Sequence, residues 1–335
     1  MIEEIKFNEE IKEEVAFDYK KHLVNNLEIN NELNDFLEGR IKKGYNTGFS
    51  SLDDHYVFKE NEFYLCTGKK GDGKTTINQA LQLMGSVCHG LIWAVAYQEN
   101  NSSFMKLNLM NYLLSGNSKR VKDTDKMLYD KASQFIDKHF IFLNVDTIKD
   151  ALETTRCLIE IEGIKVHAIF LDPINSFGNG WQNTGNVYAD GVVSALNILL
   201  FTKKYCSIHV SQHPTMSGQR TEGAITSYQG EGGWFLNKAS YTYVINREKG
   251  TNINHIIVDN VRNKHTGGGE TDFDNPVVIE WSPTSLRLYK LNEMHDVEED
   301  IFRTLTNKNK TFGVELIKED VLKNHIPQKL TSNIF

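Results

Sequence analysis

No stretch of this chain approaches the roughly 20 consecutive apolar residues that a membrane span requires. Cysteine is scarce. The four thiols, Cys66, Cys88, Cys157 and Cys206, are scattered with no C-x-x-C pair, which excludes a disulfide framework and a cysteine-based zinc module. Three of them sit in or beside apolar runs, as buried thiols of a reducing compartment do. The opening residues, MIEEIKFNEEIKEE, are charged and have no signal-peptide core, so a cytoplasmic chain with no membrane partner is expected. Positive charge is also in short supply. The net charge of −7 excludes a protein that coats nucleic acid with its whole surface, while a local basic patch or a channel lined on assembly stays open. Internal repeats and low-complexity tracts are missing.

What is present is a globular composition, 40% apolar and 24% charged over 335 residues, enough for a sizeable core. Residues 1–44 read as a charged helical arm whose apolar positions, among them Ile5, Phe7, Ile11, Val15 and Phe17, form too thin a stripe for a core of their own. The arm packs either on its own domain or on a neighbouring subunit. Residues 45–292 alternate strand and helix. Strand runs fall at Glu62–Thr67, Leu91–Tyr97, His139–Asn144, His167–Asp172 and Ser207–Ser211. Helical patterns fall at Thr75–Cys88, Ser103–Ser115, Asp123–Lys138, Ile148–Glu162 and Val187–Lys204. Strands separated by helical crossovers predict a mainly parallel sheet with helices on both faces. Ser240–Asn246, Asn254–Val261, Pro276–Trp281 and Ser285–Leu291 then predict antiparallel strands that extend it, with a turn at Lys249-Gly250. Residues 293–335 read as a charged tail with a short helix at Val314–Leu322. Two long segments, Asn175–Asp190 and Pro214–Gly233, read as mobile functional loops.

The segment FYLCTGKKGDGKTT places a glycine-rich turn between an apolar strand and a helix. Gly68, Lys69, Lys70, Gly71, Asp72, Gly73, Lys74 and Thr75 match G-x-x-x-x-G-K-[ST], with Thr76 following. Such a loop aims backbone N–H groups and a helix N-terminus at a triphosphate. Lys74 then reaches the β- and γ-phosphates of ATP or another NTP, and the Thr75 hydroxyl holds Mg²⁺. The apolar run HAIFLDP ends in Asp172, the expected second magnesium ligand. Glu99, at the end of the strand run after the P-loop helix, is either the base that positions the attacking water or a first-turn charge on the next helix.

The order of these features resembles the hexameric RecA-type replicative DNA helicases, the DnaB and Twinkle group of superfamily 4, and their phage-encoded forms in particular. The resemblance covers residues 45–291 and begins at TGFSSLD. AYQEN stands where that family carries its hydrolytic glutamate, which implies that role for Glu99. IHVSQHP resembles the strand whose terminal residues sense the γ-phosphate and report to the DNA loop, which implies Gln212 and His213. GGWFLNKASYTYVINRE implies Arg247 on the nucleotide side. IIVDNVRNKHTGG resembles the strand whose arginine reaches the neighbour's ATP, which implies Arg262 in trans and therefore a homo-oligomeric ring. The implied RecA-like core would translocate on single-stranded DNA, with primase, polymerase or loader as separate proteins.

The chain also departs from that pattern. Asn260 replaces the lysine two residues before the arginine. The loop 214–233 carries a single cation, Arg220, with Lys238 just beyond, although phosphate contacts supply most single-strand affinity. Tyr228, Trp234 and Trp181 either stack on bases or pack in the protein. Two other readings remain: a RecA-like recombinase or annealing ATPase, and a nucleotide-gated DNA-binding or scaffold protein.

Overall fold

The computed structural model describes residues 25–114, 118–181, 184–283 and 287–290, together with Leu23 and Gly116. The arm positions from Ile5 to Phe17 and the helix expected at Val314–Leu322 lie outside the described residues. The described residues divide into two units after Lys42. In the first, helix α1 (Asn26–Leu37) is capped by Asn25, whose side chain accepts from the Leu27 N–H.

The second unit is built on a nine-stranded sheet. A small antiparallel pair, β1 (Tyr45–Asn46) and β2 (Val57–Phe58), flanks α2 (Ser50–Asp53). The main sheet contains β3 (Phe63–Thr67), β4 (Trp93–Tyr97), β5 (Phe140–Phe142), β6 (Ala168–Asp172), β7 (Ser207–Ser211), β8 (Tyr241–Arg247), β9 (Ile253–Val261), β10 (Val277–Trp281) and β11 (Leu288–Lys290). Its order is β11-β10-β9-β8-β3-β7-β6-β4-β5. From β8 to β5 every pairing is parallel, and β9, β10 and β11 extend the β8 edge antiparallel. The crossovers carry α3 (Lys74–His89), α4 (Ser102–Leu113), α5 (Ser118–Thr124), α6 (Lys126–His139), α7 (Ile148–Glu160) and α8 (Val187–Lys204).

Alternation along the strands sends side chains to two cores. Tyr64, Cys66, Trp93, Val95 and Phe170 face one side, where α3 contributes Ile77, Leu81 and Met84. Phe63, Leu65, Ala94, Ala96, Ile169 and Leu171 face the other, against Ala151 and Leu152 of α7 and Ala195 and Ile198 of α8. Burial pushes the Cys66 thiol up to about 12.

Two sequence expectations change. The helix expected over Asp123–Lys138 is α6, which starts at Lys126 because the Asp125 carboxylate accepts from the Leu128 N–H, and the short helix α5 ahead of it was not expected. The segment 214–233, expected as an open loop, holds α9 (Met216–Arg220), a 3₁₀ turn at Ser227–Gln229 and the start of α10 (Gly233–Leu236). It is tied down along its length. The buried Asn246 side chain accepts from the Ile225 N–H at 2.8 Å and donates back to the Ile225 carbonyl at 3.1 Å. Asp259 accepts from the Ser227 N–H at 3.0 Å while its other oxygen accepts from the Thr242 hydroxyl. These bonds satisfy backbone groups that a compact loop would otherwise leave unpaired.

Candidate functional site

The P-loop leaves β3 at Thr67 and enters α3 at Lys74. Gly71 and Gly73 take φ of +89° and +86°, a region that L side chains rarely adopt. Gly68 is needed for a different reason: a Cβ there would stand 2.4 Å from the Ile245 carbonyl of β8. The Asp72 carboxylate closes the turn by accepting from the Lys69 N–H at 3.1 Å. Lys74 is buried, and its ammonium donates to the Gly68 and Lys69 carbonyls at 2.7 and 3.0 Å.

Asp172 ends β6 directly across from α3. Its carboxylate accepts from the Thr75 hydroxyl at 2.6 Å and from the Ser211 hydroxyl. Burial raises the Asp172 carboxyl above the usual carboxylate range; the bonds from Ser211 and Thr75 and the Lys74 charge oppose this, and Glu99 adds to it. A buried acid that is costly to ionise, beside an aliphatic hydroxyl, is a hard-oxygen pair suited to a small divalent cation such as Mg²⁺. The residues present therefore fit a magnesium-bound nucleoside triphosphate: Thr75 and Asp172 on the metal side, and the loop amides and Lys74 on the phosphate side.

A cleft of about 310 Å³ opens over this pair. It is lined by Lys70, Gly71, Gly73, Lys74, Thr75 and Thr76 from the P-loop, and by Glu99, Asp172, His213 and Arg247 from the surrounding strand ends. Asn254 and Trp281 complete the wall. Sequence reasoning missed both, and with reason: each is one polar or aromatic residue on an antiparallel strand, β9 or β10, with no motif around it. The Asn254 amide oxygen is buried without a hydrogen-bond partner beside the P-loop.

Glu99 and His213 meet at the mouth, with Glu99 Oε1 2.9 Å from His213 Nε2. The His213 N–H donates to Asn175 Oδ1 at 2.9 Å, and the Asn175 amide donates to the Glu231 carbonyl at 3.2 Å. Gln212 does not line the cleft. It is fully buried behind it, where its amide donates to the Thr67 hydroxyl at 2.8 Å. Gln212 also lies against Gly230, so closely that a Cβ at that position would meet its Nε2 at 1.9 Å. Arg247 is held by the β8–β9 turn, through the Thr251 carbonyl at 2.9 Å and the Asn252 side chain at 3.0 Å.

Arg262 stands apart from the other predicted residues. Its N–H donates to the Ser240 carbonyl, and its guanidinium to the Asn237 carbonyl at 2.7 Å. That is the end of the sheet where β3 begins, whereas the P-loop follows its other end. Five strand residues at about 3.3 Å each separate the two ends by roughly 16 Å, beyond the reach of an arginine side chain. Asn260 points to the Ala239 carbonyl at 3.5 Å. Of the aromatic residues considered for base stacking, Tyr228 is exposed, Trp234 packs edge-on against Tyr188 and Phe235, and Trp181 packs beside the second core.

A P-loop between a central parallel strand and its helix, faced by Asp172 from the second strand along, defines a P-loop NTPase fold of the RecA-like type. Solved structures agree. The chain is similar to a structure described as the ATPase domain of another protein, with a TM-score of 0.64 at 13% identity over 80% of this chain and 99% of that one. It is also similar to a DnaB-like replicative helicase whose structure is described with its interactions with primase: TM-score 0.62, 12% identity, 80% of this chain and 67% of that one. Neither a protein-family model nor a curated protein sequence matches the chain. Among the described residues, no helix is long and apolar enough to cross a membrane.

Proposed function

We propose that this chain is an ATP-dependent DNA helicase or translocase that works on single-stranded DNA during replication, in the manner of the phage-encoded forms, as a cytoplasmic ring of identical subunits. The observation that carries the reading is the position of Gln212. It bridges Thr67, the last residue before the P-loop, and Gly230, the end of the segment expected to face DNA. Any shift of the phosphate loop is felt there.

In the reaction, the P-loop amides and Lys74 hold the triphosphate, and Lys70, Gly71 and Arg247 form the outer wall. Magnesium, held by Thr75 and Asp172, would neutralise charge on the β- and γ-oxygens. Glu99 orients the attacking water and takes its proton. His213 restrains that carboxylate and answers to the γ-phosphate side of the cleft. Arg262, too far from its own P-loop, completes the site of the adjoining subunit, where such a finger is worth about 10³–10⁵ in rate. The similarity to a helicase described with primase supports primase as a partner, and a hexamer is the proposed ring size.

A nucleotide-gated DNA-binding scaffold is the second reading. It is favoured by the few cations of the segment 214–233, where Arg220 is the only basic side chain. One assay separates the two: ATP hydrolysis with and without single-stranded DNA, followed by strand displacement on a forked duplex. Stimulation and unwinding are expected, and hydrolysis indifferent to DNA sinks the motor reading.

A further inference from the structure

The P-loop touches the segment 214–233 at a second place, away from Gln212. The Lys69 ammonium donates to the Thr221 carbonyl at 2.6 Å and to the Gly223 carbonyl. The neighbouring Lys70 N–H donates to the Gln219 side chain at 3.2 Å. The held stretch is itself braced, since the Gln229 amide donates to the Thr221 hydroxyl at 2.9 Å. Gly223 adopts φ of +79°, which turns its carbonyl towards the lysine without a Cβ penalty.

The backbone of the same residue serves the phosphate lysine, because the Lys69 carbonyl accepts from Lys74 Nζ at 3.0 Å. Lys69 therefore spans the two sides. Its carbonyl steadies Lys74, and its side chain grips the segment that follows the sensor strand. An ammonium has three donors and no acceptor, and a phosphate oxygen is a charged and stronger acceptor than a carbonyl. When a triphosphate draws Lys74, the support on the Lys69 peptide changes, and the ammonium carries that change to Thr221 and Gly223.

We propose that Lys69 is a positioning residue that couples nucleotide occupancy to the segment 214–233, by a route separate from Gln212. A general P-loop role does not account for it. Its ammonium is committed to backbone carbonyls of another element, and it is Lys70, not Lys69, that lines the nucleotide cleft. The inference deepens the proposed motor, since it names a second path from ATP to the DNA-facing segment.

The test is hydrogen–deuterium exchange of the backbone amides of residues 216–226 in the full chain. It is run with and without a non-hydrolysable ATP analogue at concentrations that saturate each variant. In the unaltered protein the analogue should change exchange in this stretch severalfold. Lys69→Met should sharply reduce that response, leaving what passes through Gln212, and Lys69→Arg, which can still donate to two carbonyls, should restore most of what is lost. The proposal is overturned if Lys69→Met responds like the unaltered protein, if arginine fails to rescue, or if the unaltered protein does not respond. No DNA is present, so failure of the clasp and failure of the DNA-motor reading show up in different experiments.

Discussion

Replacing Gly230 with alanine adds one methyl group at the contact on which the coupling reading depends. The glycine has an ordinary φ of −69°, so the new residue is not strained in its backbone. The cost is steric. Its Cβ would stand 1.9 Å from Gln212 Nε2, 2.6 Å from Gln212 Cδ and 3.0 Å from the Thr67 hydroxyl. Gln212 and Thr67 are both fully buried, so neither has solvent to move into. Overpacking of this kind costs about 1–3 kcal/mol. Moving Gln212 also breaks its bond to Thr67, which adds about 1 kcal/mol or more because the donor stays buried. The expected destabilisation is therefore about 2–4 kcal/mol. Gly233→Ala is the matched control. Its Cβ meets nothing within 4 Å, and a surface change of that kind stays within about 0.5 kcal/mol. Urea unfolding followed by far-UV circular dichroism compares the two. If Gly230→Ala unfolds with the same midpoint as Gly233→Ala, the packing of Gln212 against the segment is wrong, and the coupling argument built on it fails.

Other expectations concern the chemistry. Asp172→Asn should abolish magnesium-dependent nucleotide binding, measured by calorimetry, without unfolding the nucleotide-free protein. Burial raises the Asp172 carboxyl, so the folded state holds that proton more tightly than the unfolded chain. The stability this contributes is greatest at low pH and is lost as pH rises through the raised value. The melting temperature of Asp172→Asn relative to the unaltered protein should thus increase on going from about pH 4 to pH 8; a decrease contradicts the assignment. Glu99→Gln should bind ATP and slow hydrolysis by about 10²–10⁴, the range for loss of a positioned base. Lys74→Ala and Arg262→Ala should each be inactive alone, the first for want of nucleotide binding and the second with binding nearly intact. Mixed together they should regain hydrolysis, and a mixture as inactive as its components rules out a finger in trans.

Most of the phosphate site could be read in the sequence because its chemistry is local. The strand, turn and helix of the P-loop are contiguous, and its glycines are fixed by backbone geometry. Asp172 was visible at the end of an apolar run, and the structure sets it 2.6 Å from Thr75. The supports were not visible. Asn175, Asn246 and Asp259 each hold the segment 214–233 with one polar side chain, and no periodicity marks such a residue. Asn246 and Asp259 lie on β8 and β9, where each reads as an isolated polar residue in an apolar strand. The start of α6 was placed three residues early for a related reason: only the capping bond of Asp125 marks it. Lys69 and Lys70 looked interchangeable in the motif, whereas the structure gives them different surroundings.

The separation of Arg262 from the P-loop along β3 sets how defective subunits poison a mixed assembly under the proposed finger in trans. Each working site then draws one half from each of two adjoining chains in a head-to-tail contact. A subunit lacking only Lys74 silences its own site, and one lacking only Arg262 silences a neighbour's, so in either mixture activity falls in proportion to the intact fraction. A chain lacking both spoils two sites at once, and activity should fall as the square of that fraction. The curvature of a simple titration would thus count how many chains it takes to make one catalytic centre.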